Sequence, residues 1–483
     1  MNKDKIVIFG SGGLYEKLKS FIFFHYDVVA IYDNDFEKKG SFLDGYIIGH
    51  VDDGLPDSYH FILVVSMYFS DIRKQLLSLG VKNYNIKNIN HDPVIGRDIW
   101  HSKQEKIRKT RENIQANIKS QLLIVINSLR AGGAERALVN LLILLGERDI
   151  SANVISIYGG GIYNNKIHDP HVSFELFSNE DDVYIGIILN TIPFSELYEA
   201  VLGVSFDTVI AFLEGPATLF SAHVPARKRI SWCHTDLKKN HWTKYFFSSD
   251  VIEQACYNRF DELVFVSPAG LDSFCELFPD VLVKKTVIPN TFNTKQIKEL
   301  SKERIQFPCF TFISVGRLTA VKGFDRLIDA FSKLCATESI DRDFALIIIG
   351  DGDARTKLQK KIDVLALRDR VTLLGFNENP YKYMAAGDVY ISSSHVEGHP
   401  LSIGEAMLLN KPIIATDNYG SNNILQQGEF GLLVENSTNG IYSGMLYALK
   451  SNSFVSEYSQ RSVVGQAQFS EDNIVGRFLD LIR

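Results

Sequence analysis

The chain alternates short apolar runs with amphipathic stretches of helical periodicity along most of its length. In residues 1–100 the apolar runs are KIVIFG, DVVAIYDND and HFILVVS, which are rich in β-branched side chains. Such alternation predicts parallel βαβ units, because parallel strands need a crossover connection that is usually a helix. Residues 101–120 are almost all polar with isolated isoleucines, so we interpret them as a solvated linker helix at a domain boundary.

Two more α/β blocks follow this linker. One extends over 121–300 from the strand QLLIVINSL, and the other over 301–465 from the strand FTFISVGRL. Apolar residues recur at helical spacing after GRLTAVKG, as expected of a helix that lies on a sheet, namely Phe324, Leu327, Ile328, Phe331 and Leu334. The pattern therefore predicts an α/β fold with three doubly wound domains in a row.

Length and composition narrow the class of protein. A chain of 483 residues exceeds what one hydrophobic core supports, which is roughly 250–300 residues. The net charge of -6 gives no general attraction to phosphate backbones, so we expect no nucleic-acid partner. The five scattered cysteines form no C-x-x-C pair, which favours a reducing cytoplasm over a disulfide framework or zinc knuckle. We find neither a signal-peptide core nor a run of about 18 apolar residues, so we expect no membrane span.

Several segments of the third block could hold a nucleotide diphosphate, because ligands of open parallel sheets bind at the carboxyl ends of the strands. Arg317 follows one predicted strand, and Lys322 lies five residues later in a loop. Two cations directed at one crevice could neutralise a diphosphate without a metal, although a salt-bridged surface loop explains their spacing equally well. Gly375 and Phe376 end another strand, where backbone groups could bind the edge of a base.

Two D-x-D patterns, at 33–35 and 351–353, suggest a metal site at first sight. In both places a turn that caps a helix after a strand explains the residues more simply. We therefore predict no metal site.

The segment EGHPLSIGEAM places two glutamates on either side of a predicted helix start, with seven residues between them. Gly398 and Pro400 end a strand and begin the helix, whose free N–H groups could bind an anion. Glu405 offers an acceptor-only carboxylate that suits a ribose diol, and Glu397 at the mouth of the turn could face a sugar. Taken singly, each glutamate is more simply explained as solvated or as a complement to the helix dipole.

In this order and spacing, the segments GRLTAVKGF, IIGDGD, VTLLGF and EGHPLSIGEAM resemble the family-four retaining glycosyltransferases of GT-B fold, over roughly residues 120–483. The resemblance implies two facing Rossmann-like domains, with an acceptor domain at 121–300 and a nucleotide-sugar domain at 301–465. A smaller Rossmann-like domain at 1–100 would precede them. Residues 466–483 resemble the last helix of the family, which crosses back to the acceptor domain.

The resemblance also implies roles for single residues. Arg317 and Lys322 would hold the diphosphate, Glu397 would face the transferred sugar, and His234 would contact this sugar and its phosphate. A histidine after an apolar strand is otherwise more often a structural donor. The implied donor-binding set is Gly132, Gly133, Gly375, Phe376, Gly398, His399, Pro400, Leu401, Ser402 and Glu405. His399 replaces an aromatic residue of many family members at the border of the sugar pocket, which bears on the choice of sugar.

The implied activity is a metal-independent, retaining transfer of a sugar from a UDP- or GDP-sugar to a glycan or lipid-linked acceptor. The donor's β-phosphate oxygen would take the acceptor proton as the glycosidic bond breaks. Domain closure about a hinge near 290–310 would exclude water. The resemblance further implies bacterial surface polysaccharide synthesis in the cytoplasm, at the inner face of the cell membrane.

The first block carries a partial dinucleotide fingerprint. Gly10 and Gly12 follow a strand, and Asp33 ends the next strand 23 residues after Gly10. Tyr15 stands at the third glycine position, which argues against tight packing over a pyrophosphate. The alternatives are nucleotide binding at these residues and a structural role, including homo-oligomer formation.

Other interpretations stay open at this point. The segment HTDLKKNHWTKYFF at 234–247 mixes lysines with aromatic residues, so it could rest on an anionic membrane or form an ordinary solvated loop. The chain could also be an oxidoreductase or epimerase that uses the first block, although no Tyr-x-x-x-Lys pair is evident there. A third alternative is a noncatalytic protein that binds nucleotide sugars in an assembly.

Overall fold

Three separate sheets follow one another along the chain. The computed structural model describes residues 3–130, 132–178, 182–247, 249–338, 340 and 342–483. We call the parts that carry the three sheets the N-terminal, middle and C-terminal domains. The predicted α/β fold with parallel sheets is confirmed.

The N-terminal domain has a six-stranded sheet in the order β3-β4-β2-β1-β5-β6, in which only the β3–β4 pair is antiparallel. Its strands are β1 (Lys5–Phe9), β2 (Asp27–Tyr32), β3 (Phe42–Leu43), β4 (Tyr46–Gly49), β5 (Phe61–Val64) and β6 (Ile86–Asn88). Its helices are α1 (Gly13–His25) and α2 (Phe69–Ser78), and α3 (Pro93–Asn117) leads to the middle domain. The carboxyl ends of β1 and β5 mark the crevice where a ligand of such a sheet would bind.

The middle domain has a seven-stranded parallel sheet in the order β13-β12-β11-β10-β7-β8-β9. Its strands are β7 (Leu122–Ser128), β8 (Asn153–Tyr158), β9 (Val172–Phe177), β10 (Phe206–Ala211), β11 (Ala226–Cys233), β12 (Glu262–Phe265) and β13 (Lys284–Val287). Its helices are α4 (Gly133–Gly146), α5 (Asp182–Thr191), α6 (Phe194–Val201), α7 (Pro216–Ser221), α8 (Asp250–Tyr257) and α9 (Pro268–Leu277). The central strands are near-continuous apolar runs because helices cover both faces of the sheet.

The C-terminal domain has a six-stranded parallel sheet in the order β16-β15-β14-β17-β18-β19. Its strands are β14 (Phe310–Val315), β15 (Phe344–Ile349), β16 (Val371–Gly375), β17 (Val389–Ser392), β18 (Ile413–Thr416) and β19 (Leu432–Val434). The helices from here on are α10 (Thr294–Leu300), α11 (Phe324–Cys335), α12 (Arg355–Val364), α13 (Tyr381–Ala386), α14 (Leu401–Leu408), α15 (Tyr419–Ile424), α16 (Thr438–Lys450), α17 (Phe454–Gly465) and α18 (Glu471–Ile482). The predicted apolar face on α11 is buried.

Helix α3 contains most of the predicted linker helix, and most of its residues from 101 on are exposed, but one face packs on the middle domain. It begins at Pro93, eight positions before the predicted 101–120 segment, and Asp92 caps its first turn. Ile107 and Ile114 are 3% and 1% exposed, because this face packs on α5, α6 and β9 of the middle domain. Trp100 is fully buried and donates to Glu196. One apolar cluster therefore continues from the N-terminal domain through α3 into the middle domain.

The middle and C-terminal domains also contact each other closely. Helix α10, which ends at the predicted boundary of 300, packs on α13 and α14 of the C-terminal domain. The last helix, α18, returns to the middle domain, where it packs on α4 and Arg148 pairs with Asp472. Lys228 also donates to the carbonyl oxygen of Leu481. In the described part of the chain, no helix is long and apolar enough to cross a membrane.

Candidate functional site

The carboxyl ends of the middle and C-terminal sheets meet at one cleft. His234 directly follows β11 on one side, and Arg317 and Glu397 follow β14 and β17 on the other. At the closest approach, a Cβ atom on Gly398 would lie 2.5 Å from the carbonyl oxygen of His234, so no larger residue fits there. The structure therefore brings the predicted residues of both domains together in a closed arrangement.

The loop before α4 meets Arg317 across this cleft. A Cβ atom on Gly132 would lie 2.7 Å from Nη2 of Arg317 and 2.0 Å from Oε2 of Glu135. Burial raises the pKa of Glu135, while the charge of Arg317 opposes this shift. Gly133 is the first residue of α4, and a Cβ atom there would meet open space. Position 132 thus requires glycine, because any side chain there would clash with the Glu135 carboxylate and the Arg317 guanidinium.

Lys322 and Glu397 form an ion pair inside the cleft. Nζ of Lys322 lies 2.5 Å from Oε1 of Glu397, which also accepts a hydrogen bond from Ser394. The two side chains are 28% and 12% exposed. The sequence predicted separate roles for Lys322 and Glu397, whereas the structure pairs them. A ligand that binds to one of these side chains would therefore change the electrostatic environment of the other.

Glu405 is held by two residues that sequence reasoning did not single out. Its Oε1 accepts hydrogen bonds from Nη1 of Arg136 at 2.9 Å and from the hydroxyl of Tyr381 at 3.1 Å. Glu405 is only 2% exposed, and Arg136 comes from α4 in the opposite domain. The pKa of Arg136 rises despite its burial, because the Glu405 carboxylate stabilises the charged guanidinium. The glycine pair at 132–133, two positions before Glu135, is the sequence signal that could have pointed to them.

A buried carboxylate positions the segment that carries His234. Glu214 is fully buried and accepts hydrogen bonds from the backbone N–H groups of His234 at 3.1 Å and Thr235 at 2.7 Å. Burial raises the pKa of Glu214, although these hydrogen bonds oppose the shift. Sequence reasoning missed this residue as well, since a single glutamate after a strand carries no pattern.

Two histidines from the two domains lie close to each other, the buried His234 and the partly buried His399. Burial, and to a lesser degree His399, lowers the pKa of His234 to about 3, and burial lowers the pKa of His399 to about 4. Among the described residues, neither ring nitrogen of His234 has a hydrogen-bond partner, nor does Nδ1 of His399. An unpaired buried polar atom costs about 1–3 kcal/mol, so these neutral rings are suited to bind hydroxyl groups.

The low pKa of His399 predicts a pH dependence of stability. The unfolded chain has a histidine pKa of about 6.5, so between about pH 6.5 and 4 the folded protein binds fewer protons than the unfolded protein. Stability therefore falls as the pH falls through this range. Between pH 7 and 5, we expect His399→Phe to lose about 2 kcal/mol less unfolding free energy than the wild type, as measured by denaturant unfolding. Equal losses in the two proteins would contradict the assignment.

The remaining donor-binding set surrounds the same carboxyl edge. Gly375 ends β16 and accepts from the N–H of Gly350 at 2.9 Å, while Phe376 is 46% exposed. Arg355, which sequence reasoning also missed, lies next to Gly375. Its Nη1 has no hydrogen-bond partner among the described residues, although it lies 3.9 Å from Oδ2 of Asp351. Pro400 caps α14, and Leu401 and Ser402 form its first turn beside Gly398 and His399. No group of three or more metal-ligating side chains converges in the described part of the chain.

The fingerprint residues of the N-terminal domain bind one another. The carboxylate of Asp33 accepts from the backbone N–H and the hydroxyl of Ser11, at 2.8 and 2.5 Å, and from Lys38 at 3.1 Å. Burial raises the pKa of Asp33, but these hydrogen bonds outweigh it and lower the pKa. Gly10 and Gly12 lie on either side of Ser11, and the fully buried Tyr15 donates to Asp44. Hydrogen bonds from Ser11 thus connect the glycine turn to Asp33 without a ligand.

The segment 234–247 folds against the middle domain. Lys238 pairs with Glu276, and Lys239 lies 3.3 Å from Asp236. Trp242 packs closely on Gly215, so the aromatic residues of this segment are only partly exposed.

Two family models match the chain. A model of the glycosyl transferases group 1 matches residues 296–461, which contain Arg317, Lys322, Glu397 and Glu405. A model described as C2185-like, N-terminal, matches residues 2–87. All the site residues that the C-terminal domain supplies therefore lie within the glycosyltransferase match.

Similar proteins of known sequence are glycosyltransferases. An uncharacterized glycosyltransferase of Methanocaldococcus jannaschii is 36% identical over 147 residues, which are 29% of this chain and 36% of that protein. The N-acetylgalactosamine-N,N'-diacetylbacillosaminyl-diphospho-undecaprenol 4-alpha-N-acetylgalactosaminyltransferase of Campylobacter jejuni is 27% identical, over 73% of this chain and 97% of its own length. Other relatives are named for lipopolysaccharide core and amylovoran biosynthesis.

A similar solved structure is that of Anabaena HepE in complex with UDP-glucose. Its TM-score is 0.61 at 20% identity, and the match covers 74% of this chain and 98% of that chain. This likeness confirms the GT-B fold that the sequence motifs predicted. Residues 296–461 are thus similar to the glycosyl transferases group 1, in a chain of GT-B fold whose relatives are glycosyltransferases of polysaccharide, lipopolysaccharide and lipid-linked sugar synthesis.

Proposed function

We propose that this protein is a retaining glycosyltransferase that moves a sugar from a nucleotide-diphosphate sugar to a glycan or lipid-linked acceptor in surface polysaccharide synthesis. One observation carries the proposal. At a single cleft between two parallel sheets, Lys322 pairs with Glu397 and Arg317 lies close to Gly132 of the middle domain. Glu405 and the buried His234 belong to the same cleft. A donor placed there would have its nucleotide on the C-terminal domain and its sugar against the middle domain.

The proposed chemistry depends on charge and orientation. The bond between the sugar and the β-phosphate oxygen breaks, the acceptor oxygen bonds to the same face of the sugar, and the acceptor proton passes to the leaving phosphate. Arg317 and Lys322 offset the negative charge that develops on the diphosphate, in a cleft where little water competes. These two cations take the part that a metal ion plays in other enzymes, so the proposed reaction is metal-independent.

Ribose recognition is the proposed task of Glu405. With Oε1 engaged by Arg136 and Tyr381, the carboxylate is fixed in orientation, and its Oε2 offers lone pairs for ribose hydroxyls. Because Arg136 belongs to the middle domain, the ribose site is complete only when the two domains are closed. Donor binding would therefore favour closure, which excludes water from the transferred sugar.

We assign the N-terminal domain a structural role. Asp33 is already saturated by Ser11 and Lys38, and α3 fixes the domain to the middle domain through a shared apolar cluster. In the proposal, a donor nucleotide binds only at the interdomain cleft. Calorimetric titration with the active donor should then show one site per chain, whereas two sites would contradict this role.

The function is tested with a panel of UDP- and GDP-sugars in the presence of a chelator. We expect one donor class to be turned over, and NMR of the product should show the anomeric configuration of the donor. Loss of turnover with the chelator would contradict metal independence, and an inverted product would contradict retention. Binding of every donor without turnover would favour a noncatalytic protein, and hydride chemistry would favour an oxidoreductase.

A further inference from the structure

A second cavity opens beside the proposed donor site. Its volume is about 570 Å³, within the range of roughly 300–1,000 Å³ that is usual for small-molecule sites. Lys239 of the middle domain lines one side, while His395, Asp417 and Tyr419 line the other. Lys239, His395 and Asp417 lie in loops that follow β11, β17 and β18, and Tyr419 is the first residue of α15. Both domains therefore contribute to the cavity.

The cavity is next to Glu397 but separate from the donor-binding set. His395 lies two positions before Glu397, and a Cβ atom on Gly420, the neighbour of Tyr419, would lie 2.7 Å from Cβ of Glu397. No member of the donor-binding set is among the described residues that line the cavity. A ligand in the cavity would therefore border the sugar that Glu397 is proposed to face.

Polar contacts hold the wall of this cavity in place. Asn436 donates to the carbonyl oxygen of His395 at 3.0 Å and accepts from Nη2 of Arg326 at 2.6 Å. Asn418 donates to the carbonyl oxygen of Ser394 at 3.1 Å. Because the loops after β17 and β18 are tied in this way, a ligand would meet a preformed surface at little cost in conformational entropy.

Tyr419 bridges the two domains at the edge of the cavity. Burial, and to a lesser degree Asp272, raises the pKa of its hydroxyl, and the backbone of Ala269 opposes this shift. Its ring is 38% exposed. The ring thus offers a fixed aromatic surface on which an apolar sugar face can stack.

The lining is polar but carries little net charge. Lys239 is already paired with Asp236 at 3.3 Å, and Asp417 accepts from Asn422 through only one of its oxygens among the described residues. Burial and Arg326 lower the pKa of His395, so its ring is neutral at pH 7. Carboxylate, amide and neutral imidazole groups can form hydrogen bonds with hydroxyl groups. A phosphate headgroup would instead require cations that are not already paired, and an acyl chain would require an apolar surface.

We propose that this cavity binds a neutral, hydroxyl-rich sugar unit of the acceptor glycan, beside the sugar that is transferred. This proposal rests on the proposed transferase function and adds the substrate class and the location of its acceptor site. A lipid carrier, where one is present, would lie outside the cavity.

The test is saturation-transfer NMR with neutral trisaccharides built from glucose, galactose and the two N-acetylhexosamines. Binding should be seen for at least one trisaccharide with the wild type. Asp417→Ala and Tyr419→Ala should weaken it at least tenfold, whereas Tyr419→Phe, which keeps the ring, should stay close to the wild type. Asn423→Ala is the matched control, because this residue lies on the same helix as Asn422 without lining the cavity.

The outcomes distinguish failure of the acceptor site from failure of the proposed transferase function. Three results would overturn the acceptor site: no trisaccharide binds to the wild type, the Asp417→Ala and Tyr419→Ala variants bind as well as the wild type, or only a short-chain polyprenyl phosphate binds. UDP and GDP affinities, measured with the same proteins, should be unchanged by these substitutions. If neither nucleotide binds to the wild type while a trisaccharide does, the transferase proposal fails and the sugar site stands.

Discussion

Replacing Arg317 or Lys322 by alanine is expected to lower kcat by about 10² or more while the protein stays folded. Each residue is proposed to stabilise negative charge that grows as the diphosphate leaves, so the loss should appear in kcat more than in KM. Arg317 approaches Glu135 and Gly132 across the cleft, and Lys322 contacts Glu397. Steady-state kinetics with the active donor measure the effect.

Two matched substitutions control for loss of positive charge alone. Arg304 and Lys360 are exposed residues of the same domain, and alanine at either position should leave kcat within about twofold. Thermal unfolding of all four variants should stay close to that of the wild type. If Arg317→Ala and Lys322→Ala both turned over at near-normal rates, the cations would have no part in the leaving-group chemistry.

Replacing Glu405 by glutamine is expected to lower kcat/KM for the donor by about 10², because two charged hydrogen bonds to ribose become weaker neutral ones. Glutamine keeps an oxygen that can accept from Arg136, so the buried guanidinium is not left without a partner. The decisive comparison uses a donor that lacks one ribose hydroxyl. The wild type should discriminate strongly against it, and Glu405→Gln should discriminate much less.

Arg136 should influence this discrimination without touching the nucleotide itself. Arg136→Met removes the contact that orients Glu405, so it should reduce the preference for the complete ribose in the same direction as Glu405→Gln. The effects of the two substitutions should be less than additive in the double variant, because both act on one contact. Unchanged ribose discrimination in Arg136→Met would show that the ion pair only joins the domains.

Long buried strands and linear motifs were the features that the sequence predicted well. The strands that begin at Leu122 and Phe310 are near-continuous apolar runs, so their pattern stands out from the helices around them. The strands that begin at Tyr46, Val172 and Leu432 were not predicted, because short or edge strands mix polar and apolar residues and resemble loops. Helix α3 was placed too late, since the apolar residues of its first turns resemble the preceding block.

The candidate site was predictable only where its residues share a motif. Glu397 and Glu405 are close in sequence, so their spacing alone is informative. Arg136 and Glu405 are 269 positions apart, and no local pattern relates them. The same holds for Glu214, whose importance comes from two backbone N–H groups that only the folded chain brings to it.

The packing of α3 on the middle domain has a practical consequence for the design of truncated fragments of this protein. A chain that begins at residue 121, where composition suggests the domain boundary, would lack Trp100, Ile107 and Ile114. The apolar surfaces of α5, α6 and β9 that these residues cover would then be exposed to water. Exposed apolar surface of this kind promotes aggregation. Cutting before Asp92 would keep these surfaces covered and retain the helix cap, so a fragment that begins there is the better candidate for a minimal folded protein.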